Sequence, residues 1–187
     1  NSAGPITALE GLKTFSNGSL TGTGTIVGNV TNGGLIDPGV GTTIGQIDIT
    51  GDLFMMPAGT IHLDIAGNLP GEFDVITVSG DVALDGLLEI AFINGFTPFT
   101  GDTYDLIFSG GNIDPPDFAV KTITGVPGGF TFDLGIVGSV YRLTVTQGRQ
   151  PVGGGGGSAV PEPMTASAMG LGLLALSLTA LRRRRAA

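Results

Sequence analysis

The sequence predicts an all-β chain, folded as a β-solenoid with an antiparallel C-terminal cap and followed by one apolar helix at its end. Three observations carry that prediction. Short apolar and polar residues alternate with period two between Leu20 and Thr146, and no sustained period of 3.6 appears there. A glycine-anchored unit recurs after 23 and then 29 residues, within the range of one solenoid repeat. Eighteen consecutive residues, Met164 to Leu181, contain no Asp, Glu, Lys or Arg.

Composition sets the bounds. A chain of 187 residues is expected to hold one domain and a tail. Glycine supplies 34 of them, far above the usual ~7 %, yet without the Gly-X-Y period of collagen. Cysteine is absent, so no disulfide framework holds the fold and stability must come from a core or from stacked backbone. Residues 1–158 carry fifteen acids against Lys13, Lys121, Arg142 and Arg149. Such a surface repels nucleic acid, because phosphate binding needs clustered Lys and Arg. It suits a soluble, extracellular-type surface that can gather divalent cations.

Residues 1–19 form an N-terminal segment with too little pattern around Thr7–Ser16 to assign. From Leu20 the strands are legible. Ile47-Asp48-Ile49-Thr50, Thr60–Ile65, Phe130–Leu134 and Val140–Thr146 all alternate, which sends one row of side chains inward and the other to water. The repeat appears when Gly28, Gly51 and Gly80 are aligned. An apolar residue stands two places before each (Ile26, Ile49, Val78), and Asn29, Asp52 or Asp81 follows directly. A second glycine comes six to eight residues later (Gly34, Gly59, Gly86), then an apolar residue two beyond it (Ile36, Ile61, Leu88). Gly-Asp or Gly-Asn marks a corner, because glycine takes backbone angles barred to other residues and Asp or Asn bonds back to the chain. An antiparallel β-sandwich is the alternative that short strands with turn signals would also fit. Residues 92–146, with longer strands and the Asp114-Pro115-Pro116-Asp117 turn, are expected to be antiparallel and to cap the last apolar layer.

Residues 147–159 read as a linker, since Gly153–Gly157 and Ser158 make a flexible coil. Residues 160–187 form a tail of three parts: Pro161-Glu162-Pro163, the apolar run 164–181, and Arg182-Arg183-Arg184-Arg185. At a rise of ~1.5 Å per residue the run spans ~27 Å, close to the ~30 Å hydrocarbon core of a bilayer. Arginines at one end set the direction, because Lys and Arg stay on the cytoplasmic side. The tail therefore predicts a transmembrane helix with everything before Val160 outside. The chain begins at Asn1, so a signal peptide and further N-terminal sequence are expected upstream.

The order of the tail resembles the PEP-CTERM sorting signal of exported bacterial proteins. The matching residues are Pro161, Glu162 and Pro163, the helix 164–181, and Arg182, Arg183, Arg184 and Arg185. The resemblance implies an exosortase-type membrane protease-transpeptidase as partner, which cuts near Pro-Glu-Pro and passes the protein to the cell surface or its polysaccharide matrix. A plain uncut membrane anchor is the alternative. Thr21–Gly39, with Gly-Thr-Gly-Thr-Ile, Gly-Asn-Val-Thr-Asn-Gly-Gly and Ile-Asp-Pro-Gly, is similar to the autotransporter-associated β-strand repeat. Those repeats build right-handed parallel β-helices in bacterial surface proteins, and the stretches 101–107 and 141–145 are similar to the closing segment of such passengers. No outer-membrane barrel follows 145, so self-translocation is not implied.

The chain carries few residues suited to chemistry. His62 is the single imidazole, with Asp64 two residues on along the same strand face and Glu89 at the matching site of the next unit. Stacked acids on an outer face can hold Ca²⁺ or act on a uronic-acid polymer. The plainer expectation is polar residues facing water beside core Ile61, Leu63 and Ile65. Asp37, Asp52, Asp81 and Asp85 stand next to glycine or proline–glycine and read as turn-formers. No catalytic residue, metal site or cofactor is expected. Two functions remain in view. One is a surface-anchored or matrix-associated structural or adhesive protein, with extracellular polysaccharide as a further partner. The other is the C-terminal cap and anchor of a polysaccharide-active β-helix enzyme whose catalytic part lies upstream.

Overall fold

A computed structural model of the chain describes residues 6–7 and 11–150. Sixteen strands and no helix occur among them. In chain order the first six are β1 (Ile6–Thr7), β2 (Leu12–Thr14), β3 (Ser19–Gly22), β4 (Gly24–Val27), β5 (Val30–Asn32) and β6 (Leu35–Pro38). Next come β7 (Gln46–Ile49), β8 (Leu53–Met55), β9 (Thr60–Ile65), β10 (Val75–Val78), β11 (Val82–Ala83) and β12 (Leu87–Phe92). The last four are β13 (Thr103–Ser109), β14 (Val120–Thr124), β15 (Thr131–Val137) and β16 (Val140–Gln147). The all-β expectation holds for the described residues.

Successive strands go to three sheets in rotation. The first sheet orders β1-β4-β7-β10-β13 and continues through β16 and β15; the second orders β2-β5-β8-β11; the third orders β3-β6-β9-β12-β14. All pairings up to β14 are parallel, as in Ile47 with Ile76, Leu53 with Val82, and Ile61 with Leu88. An antiparallel sandwich has no such ladders. The register follows the glycine-anchored repeat read in the sequence, since Ile26 pairs with Ile49 and Val30 with Leu53.

Each sheet contributes one row of side chains to the core. Ile26, Ile49 and Val78 come from the first sheet, Val30, Leu53 and Val82 from the second, and Ile36, Ile61 and Leu88 from the third, all of them buried. Burying such a side chain stabilises by roughly 1.5–3 kcal/mol. Polar side chains are buried with them, Asn32 among the deepest. Asn32 is fully buried, receives the Thr14 hydroxyl and the Gly34 N–H, and donates to the carbonyls of Gly34 and Thr60 at 3.1 and 3.2 Å. Its four bonds offset the desolvation that an unpaired amide would suffer.

Two corners repeat. Between the first and second sheets, the Asn29 side-chain oxygen accepts the Asp52 N–H at 2.9 Å, and Asp52 accepts the Asp81 N–H at 2.9 Å. Asp81 in turn accepts the Asn112 N–H at 2.7 Å. Asp52 and Asp81 are thus turn-formers, as expected, and Asn112 adds a rung that the repeat did not reveal. Between the second and third sheets, the carbonyls of Gly18, Gly34, Gly59 and Gly86 accept the N–H groups of Leu35, Thr60, Leu87 and Val120. A Cβ on Gly86 would run into the Gly59 carbonyl, and its φ of +72° is one that glycine alone adopts freely.

One stretch left unassigned is now placed, and one expectation needs correction. Strand structure starts before Leu20, since β1 and β2 pair with β4 and β5. These strands are only two and three residues long, too short for alternation to show. Residues 92–146 are also not uniformly antiparallel. β13 and β14 pair in parallel with β10 and β12, and only β16 reverses, against β13 and β15. The glycine turn at Gly138, with φ +65°, makes that reversal. Phe132 then stacks on Phe92 with centroids 5.5 Å apart, and Tyr141 meets Phe118 edge-on at 5.4 Å. The hairpin thereby contributes aromatic cover to the apolar interior.

Candidate functional site

The third corner joins each strand of the third sheet to the next strand of the first. Its loops, residues 39–45, 66–74 and 93–102, share no common motif, and the ionisable groups gather beside them. Three elements supply those groups: β6 brings Asp37, β9 brings His62 and Asp64, and β12 brings Glu89. The pairing of His62 with Glu89 puts the two side chains on one face, about one strand spacing of ~4.8 Å apart.

The predicted ladder of His62, Asp64 and Glu89 is present. His62 Nε2 lies 3.2 Å from Asp64 Oδ1, and Nδ1 lies 3.4 Å from Glu89 Oε2. An imidazole donates to both carboxylates only when both nitrogens carry protons. Asp64 departs from expectation. Instead of facing water it is 2 % exposed, because the 66–74 loop folds back over it through a bridge between Ile65 and Phe73.

Asp37 also departs from its reading as a turn-former. It lies within β6, and its Oδ1 is buried without a hydrogen-bond partner among the described residues. Burial pushes its carboxyl above the usual range, the His62 ring opposes that push, and the Asp64 charge adds to it. Asp85, by contrast, does form a turn, accepting the Gly86 N–H at 2.7 Å.

Sequence reasoning passed over Asp74, the most deeply placed of these acids. It is fully buried, and its carboxylate accepts the Gly45 N–H at 2.7 Å and the Asp64 N–H at 2.8 Å. Burial drives its pKa up to about 7, against the two backbone donors that favour the ionised form, with the charges of Asp64 and Asp37 raising it further. The signal available was a single acid inside the apolar run Phe73-Asp74-Val75-Ile76. Nothing in the glycine repeat points to it.

A second ionic cluster belongs to the antiparallel strands. Arg142 makes a two-pronged contact with Asp105, and Nη2 to Oδ2 measures 2.9 Å. Asp117 receives Lys121 and the Tyr141 hydroxyl. Burial alone would raise the Asp117 carboxyl, but Lys121, Tyr141 and the Phe118 N–H together hold it below its ordinary value. Both clusters tie strands together.

Chemically, the third-corner column offers a buried carboxyl, Asp74, held above the usual carboxylate range, together with the His62 imidazole and three further acids, Asp37, Asp64 and Glu89. It can exchange protons and accept hydrogen bonds. Among the described residues, no group of three or more His, Cys, Asp or Glu is arranged to hold a metal ion. Among the same residues there is no helix long and apolar enough to cross a membrane. Pro161, Glu162, Pro163, the apolar run 164–181 and Arg182, Arg183, Arg184 and Arg185 lie outside the described residues. No protein-family model matches the chain, and no curated protein matches it either.

Proposed function

We propose that this chain is an exported, surface-anchored or matrix-associated structural or adhesive protein, sorted through its C-terminal tail by an exosortase-type transpeptidase. The observation that carries the reading is the order of the tail: Pro161-Glu162-Pro163, eighteen uncharged residues, then Arg182–Arg185. Pro161 and Pro163 keep the residues before them extended and prevent a helix from propagating backward through them. An extended strip beside a membrane helix is a good protease substrate, and the arginines orient it outward.

The ectodomain in this proposal is a right-handed parallel β-helix closed by an antiparallel cap. The rotation of strands among three sheets, parallel up to β14, supports that reading, as do the two corner ladders, which are what stacking of similar turns produces. A stack of this kind extends by addition of turns and suits a stalk or a matrix component. The acidic surface disfavours nucleic acid and is compatible with a hydrated polysaccharide layer.

Mass spectrometry of the protein recovered from its native cells tests the proposal. The expected mature species ends near Pro161-Glu162-Pro163, and changing those three residues to alanine leaves an uncut, membrane-retained product. Recovery of the same processed, surface-exposed species from the alanine variant overturns the sorting reading.

A further inference from the structure

The loop between β9 and β10 is a small hairpin whose neck is closed by backbone bonds and by one side chain, that of Asp74. Within it, the Glu72 carbonyl accepts the N–H groups of Ala66 and Gly67 at 2.8 and 3.1 Å. At the neck, the Asp74 N–H donates to the Asp64 carbonyl at 2.9 Å, while the Asp74 carboxylate takes the Asp64 N–H in return. The other carboxylate oxygen reaches across to the Gly45 N–H, at the end of the preceding third-corner loop. One buried carboxyl therefore joins two loops that differ in length and sequence, beside the ladder bond from the Val75 N–H to the Gly45 carbonyl at 3.1 Å. Each loop presents an exposed apolar residue, Val40 in the first and Leu69 in the second.

The surroundings of that carboxyl are acidic. Asp37 faces it from β6 and Asp64 from β9, and both charges act on it. His62 of β9 lies beyond Asp64 and is itself shared with Glu89 of β12. On the hairpin, the Glu72 carboxylate is occupied at the far end by the Leu69 N–H at 3.0 Å. On β7, Asp48 takes the Gln46 amide at 2.7 Å. β13 packs on the hairpin through Tyr104 against Phe73, centroids 5.4 Å apart, and its Asp105 is neutralised by Arg142. None of the described Lys or Arg residues forms a salt bridge with Asp74.

We propose that the Asp74 carboxyl is a pH-operated staple, holding the 39–45 and 66–74 loops together while it carries a proton and releasing them when it ionises. A protonated carboxyl keeps acceptor capacity on its oxygens, so the two backbone contacts persist in weaker form while the penalised buried charge is gone. The ionised form makes stronger bonds to Gly45 and Asp64, but it is shielded from bulk solvent and lies beside two other carboxyl groups. Opening the neck hydrates it and separates the charges. Ionisation thus favours the open arrangement, and the exposed Val40 and Leu69 lose their fixed spacing. The staple acts on whatever those loops contact, independently of how the protein is sorted.

Amide hydrogen exchange of the full chain between pH 4 and pH 8, corrected for the intrinsic pH dependence of exchange, tests this. The Gly45 and Asp64 amides are expected to lose at least tenfold protection across that range and to level off near the top of it. The Leu53 amide, which donates to the Asp81 carbonyl in a repeated corner, serves as the reference and is expected to change less. In Asp74→Asn the differential loss disappears. A loss of protection equal at all three amides, or one that persists in Asp74→Asn, overturns the staple. Asp37→Asn guards against a misfolded Asp74 variant, because it removes a neighbouring charge without touching either bond. Its loss of protection is expected to be smaller and complete at lower pH. An unchanged profile in Asp37→Asn overturns the proposal as well.

Discussion

Asp52 and Asp74 are the same residue type at corners of the same fold, and the fold treats them oppositely. Asp52 stands in the repeated first corner, over water, where its side chain accepts the N–H of Asp81 and adds one rung to a ladder. Asp74 stands in the irregular third corner, fully buried, where it also accepts backbone N–H groups but shares its space with Asp64 and Asp37. In the first corner hydration carries the charge, and the oxygen matters only as an acceptor. In the third corner the charge itself is the problem. Repetition builds the scaffold, and departure from repetition collects the groups that respond to their surroundings.

Asp74→Asn breaks the comparison at its most sensitive point and has the largest expected effect. A group whose folded pKa lies above its unfolded value binds its proton more tightly in the folded state. Between the unfolded value near 3.8 and the folded value of about 7, folded Asp74 keeps a proton that the unfolded chain has lost. Stability therefore falls as pH rises through that window, by an amount on the order of 4 kcal/mol. Urea unfolding of the full chain at pH 4 and pH 8 should show this fall in the wild type and a much smaller one in Asp74→Asn. Parallel pH profiles would return Asp74 to the same class as Asp52. Asp37 contributes in the same direction and Asp117 in the opposite one, so the difference between the two proteins is the informative quantity.

Gly86→Ala probes the repeated side of the comparison. The new methyl would meet the carbonyls of Gly59 and Met56, and the backbone would hold alanine at a φ of +72°. Neither neighbour is the mobile end of a side chain. The expected loss is about 3 kcal/mol, combining left-handed strain with overpacking, and it should not change between pH 4 and pH 8. Gly71 has a similar φ of +85° but no atom within 4 Å of an added Cβ. Gly71→Ala in the irregular loop should therefore cost only the strain. Equal losses at the two positions would mean that stacking of glycine on glycine carries no special weight.

What could be read from the sequence follows the same division. The strands and the first corner were legible because their signals are local and recur: alternation around Ile47 and Ile61, and a glycine followed by Asn or Asp at 28–29, 51–52 and 80–81. The fourth rung at Gly111-Asn112 escapes because the interval lengthens again and the residues around it carry the longer strands and proline turn expected of a cap. β1 and β2 escaped because they are too short to show a period. The third corner escaped for a different reason. Asp74, Asp64 and Asp37 come together only because two loops of unequal length, 39–45 and 66–74, return to one edge. Along the chain, Asp64 alternates like a solvent-facing residue; only the hairpin laid over it reverses that assignment.

Asp52 gives the smallest effect and the sharpest contrast with Asp74. Asp52→Ala removes the acceptor for the Asp81 N–H, but water can replace it at so exposed a corner, so the loss should be about 0.5–1 kcal/mol. Asp52→Asn retains the side-chain oxygen that makes the 2.9 Å bond and removes a negative charge one strand spacing from Asp81. It should match the wild type or exceed it slightly at low salt, where repulsion between like charges is least screened. The order Asn at or above Asp, and Asp above Ala, would hold in urea unfolding at both pH 4 and pH 8. An Asn variant as weak as the Ala variant would mean that the carboxylate's charge, and not its place as an acceptor, supports this corner. The two corners would then differ in degree of burial alone, and the ladder would lose its standing as the element that sets one turn upon the next.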